Sequence, residues 1–194
     1  MLICFTGIDG CGKSTQVSLL RDYLRKQGKK VYVSKAYGDV EKKIFSTYIE
    51  GIKQEALLFL FQAFHIQQRL KAVNAIKKGE IVVADRWDES YIAYHSQRGI
   101  LSRNKELRKE LNSIAFRNII PELTFLLDLS VREAQKRIKA RGGGFFDQKS
   151  VEYHEMMRKG YLMLAEKRGW YILDAKRSPD ILHQAVTIIV NNIF

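Results

Sequence analysis

The sequence is poor in cysteine and proline, and it has no long hydrophobic run. It holds two cysteines and two prolines in 194 residues. The cysteines, Cys4 and Cys11, fit neither a metal-ligand spacing nor a disulfide framework, so we expect reduced thiols in a cytoplasmic protein. The longest apolar block, residues 56–61, is far too short to cross a membrane. A core strand is expected to start at the first residues, which leaves no place for a signal peptide.

The charge balance is strongly basic, whereas the composition is that of a globular protein. Hydrophobic residues make up 46% of the chain, and the formal net charge is +12. Length and composition predict one domain over residues 1–194. The lysines are spread along the chain, without a compact basic run interleaved with aromatic residues. Nucleic-acid binding, polyanionic small substrates and a lysine-rich solvated surface all stay open as explanations, with nucleic acid the least expected partner.

One glycine-rich segment carries the strongest chemical signal. It follows the apolar run at residues 2–5, precedes a helical pattern, and matches the spacing G-x-x-x-x-G-K-[ST]. Its residues, all predicted to bind ATP, are Gly7, Ile8, Asp9, Gly10, Cys11, Gly12, Lys13, Ser14 and Thr15. Glycines let backbone N–H groups cradle a phosphate chain, and the positive end of the following helix faces the same phosphates. We expect Lys13 to reach the β- and γ-phosphates and Ser14 to hold Mg²⁺.

The hydrophobic pattern predicts about five strands that alternate with helices. Strands are expected at residues 2–6, 30–34, 80–84, 123–129 and 170–173. Helices are expected at residues 14–27, 40–52, 54–78, 90–96, 105–118, 131–140, 150–168 and 179–191. This alternation is typical of an α/β fold, with a parallel sheet covered on both faces. Ligands of such sheets bind beyond the carboxyl ends of the strands, so the residues that follow each strand are the informative ones.

Two charged residues, Asp85 and Arg86, directly follow the strand predicted at residues 80–84. A carboxylate at the end of a strand can organise Mg²⁺ through water, and a guanidinium beside it can clamp a phosphate in bidentate fashion. The structural alternative is an ion pair that only caps the strand. Because a phosphate-binding loop is predicted on the same sheet edge, we favour the functional interpretation.

The segment that begins at Asp85 resembles the thymidylate kinases, which are P-loop nucleoside monophosphate kinases that make dTDP from dTMP. Their signature D-R-[YHF]-x-x-S-x-x-A-Y is matched by Asp85, Arg86, Ser90, Ala93 and Tyr94, with Trp87 as an aromatic variant. Residues 121–128 look like the P-D-L-T-x-x-L-D strand of that family. The resemblance covers essentially the whole chain. It implies a three-layer P-loop NTPase fold with a five-stranded parallel sheet, a lid at about residues 141–149, ATP and Mg²⁺ as cofactors, and a homodimer through the long helices.

The resemblance also implies roles for individual residues. Phe61 is expected to stack on the base of the acceptor, Asp9 to contact the 3′-hydroxyl of its sugar, and Tyr94 to pack beside that sugar. Arg86 is expected to clamp the acceptor phosphate with assistance from His65. The substrate-binding set implied by the resemblance is Asp9, Phe61, His65, Arg86, Ser90 and Tyr94, and the metal set is Ser14 and Asp85.

Three segments depart from the family pattern. Residues 34–39 replace the usual R-E-P-G-G-T, and His65 stands where the family has an arginine, with Arg69 one helical turn further along. Phe145 replaces an arginine of the lid. Because an arginine there normally stabilises charge on the transferring phosphoryl group, we expect Arg141, and after it Arg137, to act as catalytic arginines beside Lys13 and Arg86.

The sequence therefore predicts phosphorylation of a nucleoside monophosphate, with dTMP as the favoured acceptor. The departures leave open a kinase for another acceptor, namely dUMP, UMP, CMP or a deoxynucleoside. A third hypothesis, from a different class, is a non-catalytic protein that binds nucleotides or nucleic acid and has lost its lid chemistry. The replaced lid arginine and the positive charge favour that third hypothesis slightly.

Overall fold

Five strands alternate with seven helices in a computed structural model that describes residues 1–35, 43–44, 52–97, 101–142 and 150–193. The strands are β1 (Leu2–Thr6), β2 (Val31–Lys35), β3 (Ile81–Asp85), β4 (Leu123–Asp128) and β5 (Tyr171–Asp174). The helices are α1 (Lys13–Lys26), α2 (Gln54–Lys77), α3 (Asp88–Gln97), α4 (Lys105–Phe116), α5 (Val131–Ala140), α6 (Val151–Arg168) and α7 (Pro179–Asn191). The α/β class predicted from the alternating pattern is confirmed.

The strands form one parallel sheet in the order β2-β3-β1-β4-β5. The central strand β1 is flanked by β3 and β4, and Phe5 lies in register with Asp85 on one side and Phe125 on the other. The loop after β1 therefore opens in the middle of the carboxyl edge, beside the end of β3. This register brings the two predicted phosphate-binding segments together, although they are far apart in the sequence.

The core lies on both faces of the sheet, because successive side chains of a strand point to opposite faces. Ile3 and Phe5 pack with residues of α1 and α7, including Leu20 and Val186. The alternate residues of β1 belong to the other face, whose cluster draws on α2, α3 and α4 and includes Leu2, Cys4, Ala72, Trp87 and Phe116. A sheet covered on both faces needs strands that are apolar throughout, which explains the continuous hydrophobic runs in the sequence.

The predicted bounds are close to the observed ones, and the differences have local causes. The helix predicted to reach residue 118 ends at Phe116, since Arg117 and Asn118 adopt left-handed φ angles of 49° and 57°. Ser150, at the predicted start of the next helix, is its N-cap, as its residue type indicates, and its hydroxyl accepts a hydrogen bond from the Tyr153 N–H at 3.3 Å. The segments predicted at residues 36–51 and most of the lid, residues 143–149, lie outside the described residues, with Lys43 and Ile44 the exceptions. Among the helices that are described, none is both long and apolar enough to span a membrane.

Candidate active site

The loop between β1 and α1 follows a path that requires glycine. Gly7 has a φ of 134°, and a Cβ there would lie 2.6 Å from the carbonyl oxygen of Leu127. Gly10 has a φ of 82°, and its Cβ would lie 2.7 Å from the carbonyl oxygen of Ala134 in α5. Because α5 packs so closely on the loop, position 10 has no room for a side chain.

The first turn of α1 presents its N–H groups to this loop. The N-cap is Gly12, which has a φ of 99° and no side chain that could accept from the first-turn N–H groups. Unsatisfied N–H groups and the positive end of the helix dipole make such a terminus an anion-binding site. The prediction of a phosphate-binding loop at residues 7–15 thus has the required geometry in the structure.

The Lys13 ammonium lies inside the loop. Its side chain is only 7% exposed, and its Nζ donates to the Ile8 carbonyl at 2.8 Å. The same Nζ is 3.8 Å from a carboxylate oxygen of Asp9. The loop thus holds a buried positive charge at its centre, where phosphate oxygens would displace the Ile8 carbonyl as its partner.

Ser14 and Asp85 meet across the carboxyl ends of β1 and β3. The Ser14 hydroxyl donates to Asp85 Oδ2 at 2.7 Å. One hydroxyl and one carboxylate suit Mg²⁺, which prefers oxygen ligands and keeps several waters or phosphate oxygens in its shell. No group of three or more histidine, cysteine or acidic residues that could hold a metal occurs within the described ranges. The fit is therefore to an ion that shares its shell with bound phosphates rather than to an all-protein cage.

Arg86 is the hub of a polar network at the mouth of the loop. Its Nη2 donates to Asp9 at 2.6 Å, and its Nη1 donates to the Tyr161 hydroxyl at 2.6 Å and to Ser90 Oγ at 3.3 Å. Burial opposes ionisation of Asp9, but the Arg86 and Lys13 charges outweigh it and hold the pKa of Asp9 below its usual range. These contacts bring four of the predicted site residues together, namely Asp9, Lys13, Arg86 and Ser90.

The α2 residues do not all face this network. Phe61 is partly exposed, as a stacking surface requires. His65 is 2% exposed and packs against Phe116 and Tyr91, with ring centroids 5.1 and 6.3 Å away. Burial lowers the pKa of His65 to about 4, although the neighbouring Gln68 amide opposes that shift. The imidazole is therefore neutral at pH 7 and does not supply the positive charge that its predicted role as a phosphate ligand needs.

Arginines near the predicted sites have other observed contacts. Arg69, also in α2, donates from Nε to the carbonyl of Ala115 in α4 at 2.8 Å, which turns it away from Arg86. Arg137 donates from Nη2 to the carbonyl of Ala175, beyond the end of β5, at 2.9 Å. Arg141 is exposed at the end of α5, next to the lid segment that is not described. The structure thus places Arg137 outside the network around Arg86.

Comparison with known proteins decides the family. The sequence profile described as thymidylate kinase matches residues 5–186, which is nearly the whole chain. The chain belongs to the thymidylate kinase family. The family that the sequence motifs predicted is thereby confirmed.

Curated relatives match over nearly their full length. A thymidylate kinase of Thermosipho melanesiensis is 31% identical over 197 residues, which cover 98% of both chains. A probable thymidylate kinase of Thermococcus onnurineus is 34% identical and covers 99% of this chain and 98% of its own. A thymidylate kinase of Desulfovibrio desulfuricans is 33% identical, with 93% and 90% covered. The similarity to these thymidylate kinases therefore extends over nearly the whole length of each chain.

Within this thymidylate kinase fold, sequence reasoning missed two partners of Arg86. Tyr161 accepts from its guanidinium, and Gln68 donates from Nε2 to its backbone carbonyl at 2.9 Å. Burial raises the pKa of the Tyr161 hydroxyl to about 12, so it stays protonated. Tyr161 lies 75 positions from Arg86 and Gln68 lies 18. Neither residue belongs to a motif of fixed spacing. In a sequence, a tyrosine or glutamine of a helix is interpreted as a residue that only packs in the core.

Proposed function

We propose that the protein transfers the γ-phosphoryl group of ATP to dTMP, giving dTDP and ADP. The observation that carries this proposal is the Asp9–Arg86 pair at the mouth of the phosphate loop, with Ser14 and Asp85 in contact beside it. This arrangement puts an acceptor clamp next to a donor site. Membership of the thymidylate kinase family supports dTMP as the acceptor.

The donor half of the site is the loop at residues 7–15. Backbone N–H groups and the start of α1 would hold the phosphate chain, and Lys13 would span the β- and γ-phosphates. The hydrogen bond from the Lys13 ammonium to the Ile8 carbonyl supports this role, because it holds the side chain inside the loop. A side chain fixed before binding loses little conformational entropy when the phosphates arrive.

Ser14 directly and Asp85 through water are the residues that would hold Mg²⁺. The ion supplies charge neutralisation for the phosphate oxygens when it is bound. The short Ser14–Asp85 hydrogen bond supports this assignment, because it sets both oxygens at one place beside the loop.

The acceptor half of the site centres on Arg86. Its three hydrogen bonds within the described residues use three of the five N–H donors of a guanidinium, which leaves two for an acceptor phosphate. Phe61 would stack on the base and Asp9 would contact the sugar 3′-hydroxyl, with Ser90 and Tyr94 around them. His65 is left out of this proposal, since it is buried and neutral.

The reaction needs no strong general base, because the nucleophile is already a phosphate oxygen. The chain contributes by aligning the two phosphates and by placing Lys13 and Arg86 where negative charge develops. We propose Arg141, at the start of the lid, as the further arginine that reaches the transferring group. We assign Arg137 a structural role instead, because its hydrogen bond to the Ala175 carbonyl ties α5 to the loop after β5.

The test is formation of dTDP from dTMP and Mg-ATP by the purified protein. The Lys13→Ala variant is the matched control. We expect it to bind less ATP and its rate of phosphoryl transfer to fall by about 10²–10³-fold or more. Its melting temperature should stay close to that of the wild type. Near-normal turnover of that variant would exclude the proposed mechanism.

A homodimer is the proposed assembly, and an exposed apolar face supports it. Phe59 and Leu70 are 65% and 48% exposed. Their separation of 11 residues places them on one face of α2. Ile114, 60% exposed, extends this face on the neighbouring α4. A cytoplasmic location also stays a proposal, which the two free cysteines support, since a reducing compartment keeps thiols free.

A further inference from the structure

The main chain at Arg86 is held in a conformation that a side chain disfavours. Its φ angle is 73°, in the left-handed region, where the Cβ of a residue other than glycine crowds the following carbonyl oxygen. Such strain persists only where the surroundings over-determine the conformation. The contacts that hold this residue are therefore part of how its guanidinium is aimed.

Three different elements fix the peptide groups on either side of Arg86. Its N–H donates to the carbonyl of Phe5 in β1 at 3.0 Å. Its carbonyl accepts from Gln68 in α2 at 2.9 Å. The next N–H, of Trp87, donates to both carboxylate oxygens of Glu89 at 3.0 and 2.8 Å.

Gln68 differs from the other two holders because it acts through a side chain that lies outside the motif that contains Arg86, whereas Phe5 acts through its backbone and Glu89 lies within the motif. Gln68 is 5% exposed, and within the described part of the chain it is the one hydrogen-bond donor to the Arg86 carbonyl. Without it, this partly buried carbonyl would lose its partner, which is costly for a backbone group. The peptide would then turn toward another donor, and the guanidinium would move with it.

We infer that Gln68 is a positioning residue, which aims the Arg86 guanidinium at the acceptor phosphate by holding the Arg86 carbonyl. This inference rests on the proposed function for the role of Arg86. A residue of the long helix α2 would thus affect binding of the acceptor without direct contact with its phosphate.

The first test compares Gln68→Met with the wild type in steady-state kinetics. Methionine keeps the length and volume of the side chain but has no N–H to donate. We expect kcat/KM for dTMP to fall about tenfold or more, with a raised KM for dTMP and an unchanged KM for ATP. Gln67→Met, at an exposed position next to it on the same helix, should behave as the wild type. A KM for dTMP within about twofold of the wild type in Gln68→Met would overturn the inference.

A second variant separates the hydrogen bond from packing. In Gln68→Glu the ionised carboxylate cannot donate to a carbonyl, whereas the protonated acid can. Burial raises the pKa of a carboxyl group, so activity relative to the wild type should recover as the pH is lowered from about 8 to about 6. Gln68→Met should show no such recovery. Parallel pH profiles for the two variants would contradict a positioning role.

A third readout does not depend on turnover. Trp87 is fully buried and follows Arg86, and in a Trp170→Phe background it is the only tryptophan. Gln68→Met should make Trp87 emission easier to quench with acrylamide, and Gln67→Met should not. Equal quenching in all three proteins would overturn the inference. If the wild type transferred no phosphate, the proposed function would fail, and this comparison would still decide whether Gln68 holds the segment.

Discussion

At the scale of single residues, the site is organised by paired charges. Asp9 lies between the Arg86 guanidinium and the Lys13 ammonium, at 2.6 and 3.8 Å, and so keeps both cations close to each other. In the proposed reaction, donor and acceptor phosphates would take over these cations while Asp9 turns to the sugar. Binding would then exchange one set of charge pairs for another.

His65 gives the clearest residue-scale prediction, and it concerns stability. Its folded pKa is about 4 against 6.5 for an ordinary histidine, so below pH 6.5 the unfolded chain binds more protons than the folded one. Stability must then fall as the pH drops from 6.5 toward 4. By this linkage, His65 lowers the free energy of unfolding by roughly 2 kcal/mol when the pH falls from about 7 to about 5.

His65→Phe should remove this share of the pH dependence, because phenylalanine has no proton to bind and can pack in the same aromatic surroundings. Urea unfolding at the two pH values measures it, and the difference between them cancels any pH-independent packing effect. Burial also lowers the pKa of His95 to about 4. Because His95 is still present in the variant, part of the dependence of stability on pH remains. The same loss of stability in both proteins would show that His65 is not held neutral by the fold.

The residues of fixed motifs could be predicted from the sequence, whereas residues that act through the fold could not. The contacts of Ser14 with Asp85 and of Asp9 with Arg86 follow from a loop and a strand end that the sequence pattern indicates, while the roles of these residues stay predictions. Gln68 was missed, since only packing of α2 on the end of β3 brings its amide to the Arg86 carbonyl. His65 was placed correctly along the helix, but its protonation depends on burial, which spacing does not reveal.

At the scale of elements, the phosphate loop is braced by α5. Gly10 lies against the Ala134 carbonyl and the Ile138 side chain, so loop and helix are packed backbone to backbone. The lid follows directly after α5. A movement of Arg141 during the proposed reaction would therefore start from the end of a helix anchored on the predicted ATP-binding loop.

Gly10→Ala and Gly12→Ala test this contact as a matched pair. Both glycines have positive φ angles, so each substitution should cost about 1–2 kcal/mol of backbone strain. Only the Cβ at position 10 meets α5, at 2.7 Å from a backbone oxygen, whereas nothing lies within 4 Å of the Cβ at position 12. Gly10→Ala should therefore destabilise the protein by about 1–3 kcal/mol more in urea unfolding. Equal losses would show that α5 does not brace the loop.

Element bounds were predictable where local chemistry sets them. Ser150 and Gly169 cap α6 as expected of their residue types, and Pro179 begins α7. The end of α4 was missed by two residues, because Arg117 and Asn118 leave the helix with positive φ angles although neither is glycine. Sequence patterns also could not give the strand order, which depends on how helices pack on the two faces.

At the scale of the whole molecule, the apolar face on α2 and α4 predicts self-association. Phe59→Glu would place a charge on the face that we propose a second copy covers, so we expect the wild type to be a dimer and this variant to be a monomer in sedimentation equilibrium. Ile188→Glu is the matched control, since Ile188 is 64% exposed but lies on α7. A dimer that persists in Phe59→Glu, or that is lost equally in Ile188→Glu, would contradict this assignment of the interface.

The central claim is that this chain is a kinase for dTMP, and the most direct measurement is ADP release with Mg-ATP and each acceptor separately. The account predicts a kcat/KM for dTMP well above those for dUMP, UMP, CMP and deoxynucleosides. If ADP release were fastest with another acceptor, the protein would still be a kinase, but the assignment of dTMP as its acceptor would be contradicted. Absence of release with every acceptor, together with ATP binding and salt-sensitive binding of single-stranded DNA, would contradict the catalytic account itself.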